Sequence, residues 1–346
     1  MRRSKPVTLR DIAAELELTV HTVSKALRGL PGMSERTRQE VIEKAKELGY
    51  HTKEQERSMA VERIPYHSVK QRRFMMLLNE DSHFNRLMLT GVQERMIEFG
   101  HSVHPVVVPP ASSVKLFREW MKRHELDYCD GLFLSPVLPP VAESELLSQP
   151  VPKIMLNFPP HTVEVDSVVW DVYHAVHQSV RYFISKGHRR IMYVGDIESH
   201  RGFRLRWQGF QEAMNEAGLT VDPKAHMTAP PPTKEQWIEE LREKLTETKP
   251  TAILCALQRD PAWFYYACST IGLSIPEDVS LVSLEHERPS FFPELTRPIL
   301  LVKEAGERAA ERMLWRIANP GAPYEHIRLQ GAFYEGETVR ALRGKR

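Results

Sequence analysis

LTVHTVSKALRG, residues 18–29, carries two faces at helical spacing. Val20, Val23, Ala26 and Leu27 recur with the period of an amphipathic helix and can face a core, while His21, Lys25 and Arg28 at i, i+4 and i+7 share the opposite side with no carboxylate to pair them. The flanking sequence supplies two more short helices. Thr8 is positioned to cap LRDIAAEL, with Asp11 three residues on placing a carboxylate at the helix start. Thr19 can cap the quoted helix and Gly29 end it; Ser34 can cap ERTRQEVIEKAKEL, whose stripe is Val41, Ile42, Ala45 and Leu48 and whose stop is Gly49. Only Glu17 to Thr19 separates the first two helices, so the connection is a tight turn and the layout that of a helix-turn-helix, whose second helix enters the DNA major groove.

Over about fifty residues, VTLRDIAAELELTVHTVSKALRG followed by MSERTRQEVIEKAKELGY resembles the head of the lactose-repressor (LacI-type) family of bacterial transcription regulators. The resemblance places base readers at Val20, His21 and Lys25. Lys25 stands where the family typically has Arg; an ammonium reaches guanine O6 or N7 but lacks the planar fork of a guanidinium. Val20 can pack only on apolar groups such as a thymine methyl, and His21 can donate or accept. Thr8, Thr22, Ser24 and Arg28 are better placed for phosphates, which set register and affinity without reading sequence. Glu17 departs from the pattern, because the family usually has a small residue in that turn.

Charge agrees with a polyanionic partner for the head. Residues 1–73 hold 16 Lys and Arg against 10 Asp and Glu, whereas the remaining residues hold 31 against 35. The 346 residues suffice for two or three domains, and no run of eighteen apolar residues or signal-peptide core is present, so membrane spanning and export are not expected and a cytoplasmic protein is. Cys129, Cys255 and Cys268 are widely spaced with no CxxC, which suits buried thiols better than disulfides or zinc.

The domain organisation follows: residues 1–51 as the head, 52–73 as a polar hinge or linker, and 74–346 as an effector-binding and dimerisation domain. In the family that linker is a hinge helix that wedges a leucine into the minor groove. By resemblance Met59 takes the wedge position and Arg57 that of a basic neighbour, although Thr52 replaces the usual Pro, and Glu54 and Glu56 bring negative charge near phosphates. A linker without groove contact is the alternative.

From residue 74 short apolar runs alternate with helical patterns: FMMLLN, HSVHPVVV, GLFLSP, KIMLNF, SVVW, IMYVGD, AILCAL and VSLVSL. Such alternation predicts parallel α/β sheets, and eight strands suit two lobes. The segment from Asp171 to Gly187-His188-Arg189-Arg190-Ile191, then RWQGFQEAMNEAGL and IPEDVSLVSLE, resembles the family's effector domain, which has the fold of periplasmic sugar-binding proteins. The expected fold class is therefore an N-terminal all-α helix-turn-helix head plus an α/β two-lobed, periplasmic-binding-protein-like effector domain with parallel sheets. Lobe one is expected over about 74–166 plus 299–326, and lobe two over about 167–298 plus 327–346.

Ligands of such folds sit in the cleft at the strand C-terminal ends. The resemblance puts effector-binding residues at Phe84, Asn85, Trp170, Asp171, Arg206, Gln258 and Glu285, with Arg206 as the ligand-binding arginine just before a helix opening at Gly209-Phe210. Arg206 and Glu285 are expected to face each other across the cleft. The family's Cys-Ala-Asn-Asp is here Cys255-Ala256-Leu257-Gln258, and Val172 replaces a usual Asn, so polar anchors that would satisfy a polyol are gone. That disfavours a simple monosaccharide. A flatter aromatic ligand, another sugar or sugar derivative, a phosphorylated metabolite held by Arg206, and no small ligand at all stay open.

Other motifs read as structure. WFYY, 263–266, follows a sound Asp260-Pro261 helix start and is expected to pack a core. His174 and His177 lack a third ligand at fixed spacing, so no metal is expected. No cofactor loop, metalloprotease motif or nucleophile elbow occurs, which argues against an enzyme and against a cofactor. A transported-solute binder would need an export signal and no head. The expected protein is a homodimeric regulator on a pseudo-palindromic DNA operator, modulated by a small-molecule effector.

Overall fold

A computed structural model describes residues 7–28, 30–48, 50, 71–110, 113–230, 233–257, 260–284 and 294–342. Two compact units divide the chain at Tyr66 and His67.

The first unit contains α1 (Leu9–Glu15), α2 (Val20–Leu27) and α3 (Glu35–Glu47). Its core is Ile12, Ala13, Val23, Ala26, Val41 and Ala45, the inward positions of three short helices. Each start is fixed by a side chain. The Thr8 N–H donates to Asp11 Oδ2 at 2.6 Å, Thr22 N–H to Thr19 Oγ1 at 3.1 Å, and Thr37 N–H to Ser34 Oγ at 3.1 Å. Between α1 and α2 the chain turns through Glu17 at φ 53°, a left-handed conformation that costs a side-chain-bearing residue about 1–2 kcal/mol. Val20, one of the apolar positions that could have faced the core, is instead 40% exposed, because it starts the helix beyond the reach of α1 and α3.

The second unit holds two sheets. The first runs β10-β5-β4-β3-β1-β2 and the second β6-β7-β8, all parallel. In chain order they are β1 (Arg73–Leu78), β2 (Ser102–Val107), β3 (Gly131–Leu134), β4 (Lys153–Met155), β5 (Asp166–Trp170), β6 (Ile191–Val194), β7 (Ala252–Cys255), β8 (Ser280–Ser283) and β10 (His326–Leu329). The remaining pair, β9 (Arg297–Pro298) and β11 (Phe333–Tyr334), is a short antiparallel ribbon. Helices α4 (His83–Glu98), α5 (Val114–Arg123), α6 (Pro140–Ser148) and α11 (Val302–Ala318) belong to the first lobe; α7 (Val172–Ser185), α8 (Arg201–Glu216), α9 (Lys234–Thr248) and α10 (Pro261–Thr270) belong to the second. Buried apolar clusters lie on both faces of each sheet, as parallel strands require.

All eight expected strands form, but the boundary between lobes differs from the expected one. β5 lies in the first lobe's sheet, with Ile154 opposite Asp166, and β10 joins it at the edge, with His326 opposite Ser167. The cause is a buried ionic knot. Arg312 and Arg316 of α11 donate to the Asp166 carboxylate at 2.7 and 2.5 Å, which ties β5 to the first lobe's long helix. Burial pushes that carboxyl up, yet hydrogen bonds from Arg316, the Glu325 N–H and Arg312 outweigh it and hold it below the usual carboxylate range. The chain therefore crosses to the second lobe only after Trp170.

α4 and α11 cross at very short distance. A Cβ on Gly91 would lie 2.0 Å from the Lys303 carbonyl oxygen, and one on Gly306 2.2 Å from that of Met88. Among the described residues no helix is long and apolar enough to cross a membrane.

Candidate nucleic-acid interface and interlobe cleft

On the head, α2 shows solvent the face that the sequence marked. Val20, His21 and Arg28 are exposed and Lys25 is partly so, and neither His21 nor Lys25 has a carboxylate partner among the described residues. The Lys25 ammonium lies beside Gly32, 3.8 Å from where a Cβ would stand. Arg28 folds back along its own helix, Nε donating to the Ser24 carbonyl at 3.2 Å and Nη2 to Ser24 Oγ at 2.9 Å, so these two residues are held together. Thr8 and Thr22 sit at the first turns of α1 and α2, where backbone N–H groups point outward. Arg57 and Met59 lie outside the described residues.

In the second unit a cavity of about 220 Å3 opens between the lobes. The first lobe contributes Asn79, Glu80, Ser82, Phe84, Asn85, Pro136, Val137 and Trp170, and the second His200, Phe203, Arg206, Leu284 and Leu300. Four of the expected effector residues, Phe84, Asn85, Trp170 and Arg206, thus meet at one place. Phe84 and Trp170 make an edge-to-face pair with centroids 5.0 Å apart, an apolar wall. Asn85 is buried and both its amide protons are engaged, to Asn79 Oδ1 at 3.0 Å and the Glu80 carbonyl at 2.8 Å, so it shapes the loop.

Two expectations need correction here. Asp171 does not line the cavity: its Oδ1 accepts the His174 N–H at 3.0 Å and caps α7, a role set by its place at the lobe crossing. Arg206 is not ahead of a helix opening at Gly209 but in the second turn of α8, which starts at Arg201 because His200 Nδ1 accepts the Gly202 N–H at 3.1 Å and caps it. Gln258 and Glu285 lie outside the described residues, and with them the expected pairing of Arg206 with Glu285.

The cavity has a cation, Arg206, on its second-lobe side and a carboxylate, Glu80, on its first-lobe side. The Arg206 Nη1 donates to the Ala256 carbonyl, its guanidinium packs over Phe203 at 5.0 Å, and its Nε is buried without a partner; no described carboxylate reaches it. Burial lowers its pKa. Trp170 Nε1 is likewise buried and unpartnered. Burial, with the Arg206 charge next, pulls His200 down to about 4, so its imidazole is neutral near pH 7. The walls are aromatic and aliphatic, and the inner polar groups are donors. His200 and Phe203 were missed in the sequence, because their place beside the cavity follows from the burial of Arg206 and from the helix start at Arg201.

The histidines at 174 and 177 lie on the partly exposed side of α7 near α8. His177 Nε2 is 3.1 Å from Glu216, and no cluster of three metal-ligating side chains occurs among the described residues. All three cysteines are buried, and none is in a disulfide with another. In WFYY, Phe264 is buried in the second lobe's core with Trp263 and Tyr265 packed on it, while Tyr266 is 57% exposed.

Residues 8–53 match the model for bacterial regulatory proteins of the lacI family, and residues 180–339 that for a periplasmic binding protein-like domain. The chain is 24% identical over 320 residues to catabolite control protein A of Priestia megaterium, covering 90% of this chain and 93% of that one. It is 28% identical over 328 residues to the transcriptional regulator AglR of Rhizobium meliloti, covering 91% and 89%. The solved Lac repressor dimer bound to operator and the anti-inducer ONPF shares the fold with a TM-score of 0.66 at 20% identity, over 97% of this chain and 100% of that one. The helix-turn-helix of the head, with its unpaired basic face, and the two-lobed fold of the second unit agree with these matches: the chain joins a lacI-family DNA-binding head to a periplasmic-binding-protein-like domain and is a DNA-binding transcriptional regulator.

Proposed function

We propose that the protein is a cytoplasmic homodimeric repressor, without catalytic activity or cofactor, whose grip on a pseudo-palindromic operator is set by a small effector in the interlobe cavity. In this reading Val20, His21 and Lys25 meet base edges, and Thr8, Thr22, Ser24 and Arg28 meet phosphates. The effector carries an anionic group on a flat, largely apolar body. The observation that carries this is Arg206: a guanidinium with a buried, unpartnered Nε and no described carboxylate in reach, facing a cavity walled by Phe84, Trp170 and Phe203. A buried donor left without a partner is costly, and an incoming carboxylate or phosphate removes that cost with a charge-assisted hydrogen bond. A neutral polyol fits less well, since Leu257 stands where the family has an amide and the cavity offers its hydroxyls few acceptors beyond Asn79 and Glu80 at the rim.

A thermal-shift screen of aromatic carboxylates and phosphate esters tests the reading. A compound that stabilises the wild type and shifts its operator affinity, and that binds Arg206→Gln at least about ten-fold more weakly, is expected; loss of one charged hydrogen bond is worth about 1.5–3 kcal/mol. Neutral sugars stabilising the wild type and Arg206→Gln equally, with no anion doing better, would overturn it.

A further inference from the structure

A second crevice, of about 350 Å3, lies apart from the cavity that holds Arg206 and is also walled by both lobes. Its floor is the outer edge of the first sheet. Because β10 pairs with β5 in the register His326 opposite Ser167 and Arg328 opposite Val169, those four side chains share one face, and the two cationic or protonatable ones stand on the exposed edge strand. The exposed side of α8 closes the crevice from the second lobe with Arg204, and the turn after Phe158 brings His161 over it.

Three features point to an oxyanion. The side chains of Arg204, His161 and His326 make no hydrogen bond or ion pair among the described residues, and that of Arg328 makes only a stacking contact, 5.4 Å over the Phe158 ring. No carboxylate lines the crevice. At its base, Ser167 is wholly buried and its Oγ has no hydrogen-bond partner, a hydroxyl left unsatisfied where native interiors rarely leave one. The neighbouring Arg201 is already neutralised: it donates to Glu143 at 3.0 and 2.8 Å and to the Phe158 carbonyl at 2.6 Å, so it fixes the start of α8 against the first lobe and leaves the anion to the others.

We propose that this crevice binds a small oxyanion ligand, a phosphate ester or a polycarboxylate, with Arg204 and Arg328 clamping its charge and Ser167 Oγ donating to it from below. Two guanidinium forks suit planar, bidentate recognition of such groups. A ligand held by α8 on one side and β5 and β10 on the other bridges the lobes, so its binding free energy is coupled to their arrangement and hence to the effector cavity on the far side of α8.

The test titrates inorganic phosphate and, separately, citrate into the full-length protein at constant ionic strength, followed by isothermal calorimetry. Saturable binding of one anion per chain at a site that persists in Arg206→Gln is expected, weakened at least ten-fold in Arg204→Gln and in Arg328→Gln and several-fold in Ser167→Ala. Arg204 and Arg328 are exposed, so those variants keep the fold; Arg328→Lys, which retains charge without the fork, is expected between Arg328→Gln and the wild type. Saturation by phosphate alone identifies a phosphate-ester site, and by citrate alone a carboxylate site. Arg206→Gln is expected to bind the anion within two-fold of wild type, which separates this site from the effector cavity. No saturable binding, equal affinity in the Arg204 and Arg328 variants, or loss only in Arg206→Gln would overturn the proposal.

Discussion

Lys25 and Arg28 sit three residues apart on α2 and do different work in the proposed complex. Lys25 is free of carboxylates beside Gly32, able to extend to a base edge, whereas Arg28 is anchored to Ser24 at the helix end, where phosphates run. Lys25→Ala is therefore expected to relax base preference at one position of each half-site, and Arg28→Ala to weaken every sequence alike. Selection of binding sites from random duplexes checks this; an unchanged profile for Lys25→Ala would show that it reads nothing. The exposed face itself was legible because a helix side without counter-charges is visible in one dimension. Glu17 was legible too, as the misfit in the turn, and its φ of 53° shows what the misfit costs. His200 and Phe203 were not, since their importance comes from the burial of Arg206, which no spacing states.

At the level of elements, the apolar runs of four to eight residues marked the eight strands β1 to β8, while β10, HIRL, escaped notice. It alternates polar and apolar residues at a sheet edge, so no apolar run marks it. The lobe to which β5 belongs was equally hidden, for SVVW is apolar in either sheet and only the Asp166 knot with Arg312 and Arg316 decides. The start of α8 was masked by the polar stretch RGFRLR and its glycine. The crossing of α4 and α11 leads to a prediction of its own. Backbone atoms of each helix occupy the space where the other's Cβ would be, so the helices must separate to admit a methyl group. Gly306→Ala is expected to destabilise the body by about 1–3 kcal/mol, read as a lower urea midpoint in tryptophan fluorescence. An unchanged midpoint would mean the crossing relaxes freely.

Across the whole molecule, acid should act through two histidines in the second lobe. Burial pulls both His200 and His226 from 6.5 to about 4, and each uses Nδ1 as an acceptor, from the Gly202 and Tyr193 N–H groups, which only the neutral ring can do. Their folded-state pKa values lie below the unfolded one, so the unfolded chain binds the extra protons. The stabilisation is complete above pH 6.5 and is lost as pH falls towards 4, at up to about 1.4 kcal/mol per pH unit for each ring. Melting temperature is expected to drop between pH 7 and 4.5, with a shallower slope in His200→Asn/His226→Asn. The same slope in that variant would assign the acid sensitivity elsewhere.

The threading of the two lobes has a consequence for how the protein is made. The chain leaves the first lobe after Trp170 and returns with α11 and β10, the helix that carries the partners of Asp166 and the strand that covers β5. On a ribosome the head is whole once Tyr50 has emerged, but the first lobe waits for Leu329. At about 5–20 residues per second, that interval is roughly 15–55 s. For the 146 residues between Asp166 and Arg312, roughly 7–29 s of it, Asp166 is a carboxylate with neither arginine yet synthesised, and the outer edge of β5 has no strand to cover it until β10 follows. The nascent chain at this stage is a folded head followed by a half-built body with an open sheet edge, the kind of intermediate that chaperones hold.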